Sequence, residues 1–142
     1  MSKVSIIYWS GTGNTEAMAF YIAEGAKEAG AEVNMVTADS ASAADVADVT
    51  AVALGCPSMG VEVLEETTME PLMCELDGVI SGKNVALFGS YGWGDGQWMR
   101  DWEGRVTSDG ATLVNGEGLI VNETPDDDAL ASCKALGEAL AK

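Results

Sequence analysis

Histidine is absent from this sequence, and lysine and arginine together number only seven in 142 residues. Without histidine the chain has no Ser-His-Asp or Cys-His nucleophile, no imidazole metal ligand and no imidazole general base. Against 23 carboxylates the few cations leave a formal net charge of −16. That charge excludes binding to nucleic acid or to an anionic membrane surface, because both are recognised through lysine and arginine.

Cysteines and long apolar runs are also scarce. Cys56, Cys74 and Cys133 form no Cys-x-x-Cys pair, and their odd number excludes a complete disulfide framework. Their spacing does not match a zinc or iron–sulfur site, so we expect reduced and mostly buried thiols. No apolar run approaches the length that spans a bilayer, and the first residues lack a signal-peptide pattern. We therefore expect one cytoplasmic domain over residues 1–142, with no membrane partner.

The negative charge has two interpretations. The first is solubility alone, or adaptation to a salt-rich host. The second is electrostatic steering toward basic partners, which raises association rates in a salt-dependent way. Composition does not decide between them.

Apolar strand patterns alternate with helical patterns along the whole chain. Strands are predicted over residues 3–9, 32–37, 50–55, 84–90 and 111–121, the last one broken around 115–118. Helices are predicted over 15–29, within 39–48, over 64–77 with an interruption near Pro71, over 97–107, and around Leu130, Cys133, Leu136 and Leu140. Trp98 and Trp102, four residues apart, are expected to pack in the core. The alternation indicates an α/β fold with a doubly wound, five-stranded parallel sheet.

A glycine-rich turn joins the first strand to the first helix, at the sheet edge where such folds bind ligands. Its residues are Ser10, Gly11, Thr12, Gly13, Asn14 and Thr15. Glycines let consecutive N–H groups converge, and a helix N-terminus adds partial positive charge. The pattern therefore predicts a phosphate site without lysine, the alternative being an ordinary turn capped by Ser or Thr. A Walker A loop would need a lysine here, and a dinucleotide fingerprint a glycine in place of Glu16.

The run from Tyr8 to Glu16, Tyr-Trp-Ser-Gly-Thr-Gly-Asn-Thr-Glu, resembles the phosphate-binding signature of the short-chain flavodoxins of anaerobic bacteria. The similarity extends over essentially the whole chain. It implies a flavodoxin-like strand order of 2-1-3-4-5 and non-covalently bound FMN. It also implies a low-potential one-electron carrier, shuttling between semiquinone and hydroquinone to serve basic-surfaced redox enzymes. Such a protein transfers electrons and is not an enzyme, and we expect it to be a monomer.

Two further loops match the family and imply the walls of a flavin site. The loop after the third strand contains Pro57, Ser58, Met59, Gly60, Val61 and Glu62, and the loop after the fourth contains Ser90, Tyr91, Gly92, Trp93 and Gly94. The resemblance implies that Met59 packs on one face of the flavin and Trp93 stacks on the other. It further implies that the Gly60 carbonyl accepts a hydrogen bond from N5–H and that Glu62 accepts one from N3–H. Backbone N–H groups of 92–94 would reach O2. Without the match of the other loops to the family, Met59 would be interpreted as a core residue and Glu62 as a solvated charge in a loop.

Three other functions would require features that differ from those of this sequence. An FMN-dependent enzyme resembling a quinone reductase needs a substrate pocket built from insertions, and this chain is short. A phosphoacceptor receiver domain needs acidic residues after the first and third strands, where Trp9-Ser10 and Gly55-Cys56 stand. Binding of another phosphorylated ligand would leave the purified protein colourless and unable to take up FMN.

Two residues depart from the family pattern. Pro57 stands where some relatives have a serine that donates to the phosphate or ribityl chain, and proline donates nothing. Val61 follows Gly60, where relatives often have Asp or Asn. A type II turn over residues 59–62 requires positive φ at Val61, which a β-branched residue resists. The N5-bonded turn, and with it the semiquinone, is therefore expected to be less stable than in relatives.

Val61→Asn tests this expectation, because asparagine tolerates positive φ. We expect more semiquinone to accumulate in the variant during an anaerobic redox titration with FMN. Accumulation equal to that of the parent protein would show that Val61 does not weaken the turn.

Overall fold

The computed structural model describes residues 2–11, 13–59, 63–92 and 94–141. The strands in these ranges are β1 (Lys3–Tyr8), β2 (Glu32–Thr37), β3 (Ala51–Gly55), β4 (Asn84–Tyr91), β5 (Thr112–Leu113) and β6 (Leu119–Asn122). The helices are α1 (Asn14–Glu28), α2 (Ala44–Ala47), α3 (Met69–Leu76), α4 (Gln97–Ser108) and α5 (Asp127–Leu140). None of the helices described is long and apolar enough to cross a membrane.

The strands form one parallel sheet in the order β2-β1-β3-β4-β5, as expected. β5 pairs with the beginning of β4 and β6 with its end, so the two are halves of one fifth strand. A 3-10 turn over Val114–Gly116 separates them, and Asn115 there has a φ of 65°. The predicted fold and the predicted break in the last strand are both confirmed.

Each face of the sheet carries its own core layer, because side chains alternate between the faces of a strand. On one face Ile7, Leu54 and Leu87 pack with α3 and α4. Trp98 and Trp102 belong to this layer and are each 1% exposed, which confirms the packing role predicted for them. On the other face the alternate residues of β1, β3 and β4 pack with α1 and α5, including Ile6, Ala53 and Phe88. The two-sided cover explains why the central strands read as continuous apolar runs.

Two details differ from the sequence-based expectations. The helix predicted from residue 64 begins at Met69, and Pro71 lies in its first turn without interrupting it. The N–H groups of a first turn have no partner within the helix, so proline costs little there. Cys74 is exposed, whereas Cys56 and Cys133 are buried as expected. Burial raises the pKa of both buried thiols to about 12, which keeps them protonated.

Helices α1 and α5 approach closely at two glycines. A Cβ atom added at Gly25 would lie 2.0 Å from the carbonyl oxygen of Lys134, and one added at Gly137 would lie 2.0 Å from that of Ile22. Glycine is required at both positions because backbone atoms fill the space of a side chain.

We expect Gly137→Ala to destabilise the protein by about 1–3 kcal/mol, since α1 and α5 would have to move apart. Gly104→Ala is the matched control, because Gly104 lies inside α4 with no atom within 4 Å of its added Cβ. That change should instead stabilise by about 0.5–1 kcal/mol through helix propensity. Urea unfolding of both variants checks the prediction, and a Gly137 variant as stable as the parent would contradict it.

Candidate functional site

The turn between β1 and α1 presents hydrogen-bond donors at the helix N-terminus. Gly13 precedes the helix with a φ of 95°, a conformation that L side chains resist. The Ser10 hydroxyl oxygen accepts the N–H groups of Gly13 at 3.1 Å and Glu16 at 3.3 Å. Ser10 thus caps the start of α1 from within the loop, and a helix N-terminus suits an anion through its N–H groups and its dipole.

Glu16, the acidic residue in the first turn of α1, is tied to the sheet. The Tyr8 hydroxyl donates to Glu16 Oε2 at 3.0 Å. Burial, together with this hydrogen bond, raises the pKa of Tyr8 above its ordinary value, so the phenol remains a donor. The contact holds the carboxylate beside Tyr8, where it is not part of the cavity described below.

The loop after β3 continues the hydrogen bonding to β4 beyond the end of β3. Cys56 N–H donates to Phe88 O, and Ser58 N–H donates to Ser90 O, each at 3.1 Å. Farther along, Met59 and Val63 form an antiparallel bridge with two mutual bonds of 2.9 Å. The loop that carries Met59 is therefore anchored on β4 and closed on itself.

Ser90 also connects to the first turn. The Thr15 hydroxyl accepts the N–H of Ser90 at 3.3 Å, and the two hydroxyl oxygens are 3.3 Å apart. Both residues are buried. The pair fixes the start of α1 against the end of β4.

A cavity of about 390 Å³ lies where the three loops meet, at the carboxyl ends of the strands. It is lined by Trp9, Gly11, Asn14, Pro57, Ser58, Met59, Ser90, Tyr91, Gly92 and Glu123. Ser10, Gly13 and Thr15 support one end of it through the hydrogen bonds given above, whereas Gly94 is described but does not line it. The predictions for Thr12, Gly60, Val61, Glu62 and Trp93 fall outside the described residues. The structure thus brings eight of the predicted site residues to one cavity.

Sequence reasoning missed Glu123 and left Trp9 without a role. Glu123 follows β6 with a φ of 57°, and its N–H donates to Tyr91 O at 2.7 Å. Its position directly after the last strand, at the ligand-binding edge, was the available signal. Trp9 packs against Gly11, where an added Cβ would lie 3.1 Å from the indole ring. Glycine at this position lets the indole form part of the cavity wall.

The lining of the cavity combines polar groups with aromatic and apolar surface. Gly11 and Asn14 lie at the start of α1, where N–H groups and the helix dipole favour an anion. Trp9, Met59 and Tyr91 provide flat or polarizable apolar surface. These features fit a ligand with a phosphate at one end and a planar ring at the other.

Comparison with known proteins gives one consistent result. The family model described as Flavodoxin matches residues 6–137. A flavodoxin of Megasphaera elsdenii is 50% identical over 98% of both chains, and one of Clostridium beijerinckii is 46% identical over 97% of this chain and 99% of its own. The solution structure of the two-electron reduced Megasphaera elsdenii flavodoxin superposes with a TM-score of 0.90, covering 97% of this chain and 98% of that one.

We expect Thr15→Val to lower the stability of the ligand-free protein by about 1–2 kcal/mol, because the buried Ser90 N–H loses its acceptor. Thr107→Val is a control at an exposed threonine whose hydroxyl bonds only within α4, and it should change stability by less than about 0.5 kcal/mol. Urea unfolding measures both, and equal stabilities would mean that the Thr15–Ser90 contact does not hold the two loops together.

Proposed function

The chain belongs to the flavodoxin family, and from that membership we propose that it carries single electrons at low potential between redox enzymes. It is an FMN-binding electron-transfer protein and not an enzyme. FMN supplies the redox chemistry when bound, taking up electrons one at a time, while the protein contributes binding, orientation and electrostatics. The observation that supports the proposal most directly is the cavity that joins the three predicted loops.

The FMN phosphate would be held by residues 10–15 without a cationic side chain. Ser10 already accepts two N–H groups of the helix start, and Gly13 has the positive φ that such a turn needs. Asn14 and Thr15 form the first turn of α1, so the helix dipole also favours the phosphate at this end.

The ring would lie between the loops after β3 and β4. Pro57, Ser58 and Met59 after β3 line the cavity together with Ser90, Tyr91 and Gly92 at the end of β4. Tyr91 is held by Trp98, whose ring centroid is 5.6 Å away. The roles of Gly60, Val61, Glu62, Trp93 and Gly94 toward the ring remain predictions from the family resemblance.

The acidic composition supports a low potential. The second electron adds negative charge at the cavity, and carboxylates nearby oppose that addition. A unit charge about 10 Å from a carboxylate in a water-like dielectric costs roughly 0.4 kcal/mol. For one electron this corresponds to about 15–20 mV per carboxylate. Glu123 is the carboxylate that lines the cavity among the described residues.

The net negative charge also affects which redox partners the protein attracts. Redox enzymes with basic surfaces around their electron-transfer sites would be attracted to a chain of net charge −16, and salt would slow the encounter. We propose that the carrier acts as a monomer in the cytoplasm. The alternative of a quinone reductase-like enzyme is not favoured, because the relatives matched along nearly their whole length are flavodoxins.

Anaerobic redox titration of the FMN-reconstituted protein tests the proposal. We expect two one-electron steps, and we expect Glu123→Gln to raise the second midpoint potential by about 15–20 mV. The measurement is the midpoint of each step at constant pH and ionic strength. A purified protein that is not yellow and does not bind FMN would overturn the assignment.

Glu24→Gln is the matched control for this charge change. Glu24 is exposed and lies ten residues along α1 from Asn14, which is about 15 Å of helix. The longer distance and screening with a Debye length of about 8 Å at physiological ionic strength both weaken the interaction, so the second midpoint should move much less than in the Glu123 variant. Equal shifts in the two variants would show that Glu123 acts through net charge and not through its place at the cavity.

A further inference from the structure

Glu65 is a buried carboxylate between the Met59 loop and α3. It is 6% exposed and lies two residues after Val63, which closes that loop. A buried charge is costly unless hydrogen bonds replace its water, so its retention calls for a structural explanation. The proposed flavin contacts make no direct use of it.

The carboxylate of Glu65 accepts hydrogen bonds from the backbone N–H groups that precede and begin α3. It accepts the backbone N–H groups of Thr67 at 3.0 Å, Thr68 at 2.7 Å and Met69 at 2.9 Å, and the Thr67 hydroxyl as well. Burial by itself would raise the pKa of Glu65, but these hydrogen bonds outweigh it and lower the pKa below its ordinary value. The backbone carbonyl of Glu65 also accepts the N–H of Glu70 at 2.9 Å. Glu65 is thereby fixed to the helix by both its side chain and its backbone.

The other connection of Glu65 closes the base of the Met59 loop. Its N–H donates to Cys56 Sγ at 3.4 Å. Cys56 is itself held on the sheet, since its N–H donates to Phe88 O at 3.1 Å and its carbonyl accepts the indole N–H of Trp98 at 3.1 Å. The Met59–Val63 bridge lies inside this closure. Residues 56 and 65 thus form a clamp that joins β3, β4, α3 and α4.

We propose that Glu65 is a positioning residue, which holds Met59 and Val63, the bonded ends of the turn expected to face the flavin, in the place that first-electron uptake requires. It does so by fixing the second end of the loop to the N-terminus of α3. This inference rests on the proposed function, because it takes that turn to face the flavin. Glu65 itself is not assigned a contact with FMN.

Glu65→Gln tests the proposal, since glutamine keeps the volume but replaces one of the two accepting oxygens by an NH2 group, which faces N–H donors at the start of α3. We expect amide hydrogen exchange at Met59 and Val63 of the FMN-free protein to become about tenfold faster. We also expect the variant to bind FMN about tenfold more weakly than the parent protein does. We also expect the first midpoint potential to fall relative to the second by about 59 mV, the equivalent of a tenfold change for one electron.

Glu66→Gln is the matched control, because Glu66 is the adjacent carboxylate and is exposed. It removes the same charge from the same segment without touching the clamp, and each quantity should change by less than twofold. If Glu65→Gln folds and matches Glu66→Gln in exchange, binding and midpoint separation, the proposal is overturned. A loss of stability in Glu65→Gln without a change in exchange at 59 and 63 or in midpoint separation would likewise overturn it.

Thr67→Val decides the case if Glu65→Gln does not fold. Thr67 is exposed, and the change removes one donor to Glu65 without altering charge. Exchange at residues 59 and 63 should then accelerate about twofold to threefold, and no acceleration overturns the proposal. The exchange measurement needs no FMN, so a parent protein that fails to bind FMN would refute the proposed function while leaving the clamp tested on its own.

Discussion

The backbone of Ser90 joins the three loops around the cavity. Its carbonyl accepts the N–H of Ser58, and its own N–H donates to the hydroxyl of Thr15. Because Ser90 lies in the central strand β4, between β3 and β6, its position is set by the whole sheet. The start of α1 and the Met59 loop are both hydrogen-bonded to this residue, which fixes their positions relative to each other. A ligand with a phosphate and a ring needs that constancy, since its two ends must be satisfied together.

The small number of lysines and arginines is consistent with a site that holds its ligand through N–H and hydroxyl groups. A lysine at the phosphate would offset negative charge near the flavin and so raise the potential at which the second electron enters. In the proposed site the turn would instead hold the phosphate with N–H groups, hydroxyls and the dipole of α1, which carry no net charge. The acidic Glu16 in the same turn is held beside Tyr8 and does not line the cavity. Phosphate binding and a strongly negative surface are therefore compatible in one small domain.

The sequence predicted the sheet well, because β1, β3 and β4 are buried on both faces and therefore apolar throughout. It also predicted the break in the fifth strand, where Asn115 and Gly116 take positive φ. The start of α3 was placed too early, since the apolar pattern from Leu64 continues into the helix while the backbone is still a loop. Glu123 was missed for a related reason, because only the pairing of β6 with β4 carries it to the cavity. The apolar periodicity of the sequence indicates which residues are buried, but it does not indicate which loops lie next to one another.

Glycines at the ends of β3 and β4 show how closely the loops and the core are fitted. A Cβ atom at Gly89 would lie 2.1 Å from the carbonyl oxygen of Cys56, and one at Gly55 would lie 2.2 Å from the ring of Phe88. With glycine at 89, the Cys56 carbonyl can lie against β4 and accept the indole N–H of Trp98. The base of the Met59 loop is thus bonded to a tryptophan of the core, and movement at that base would disturb the packing of α4. That coupling fixes the base of the loop, so the position of Met59 at the cavity is set by the same contacts that pack α4 against the sheet.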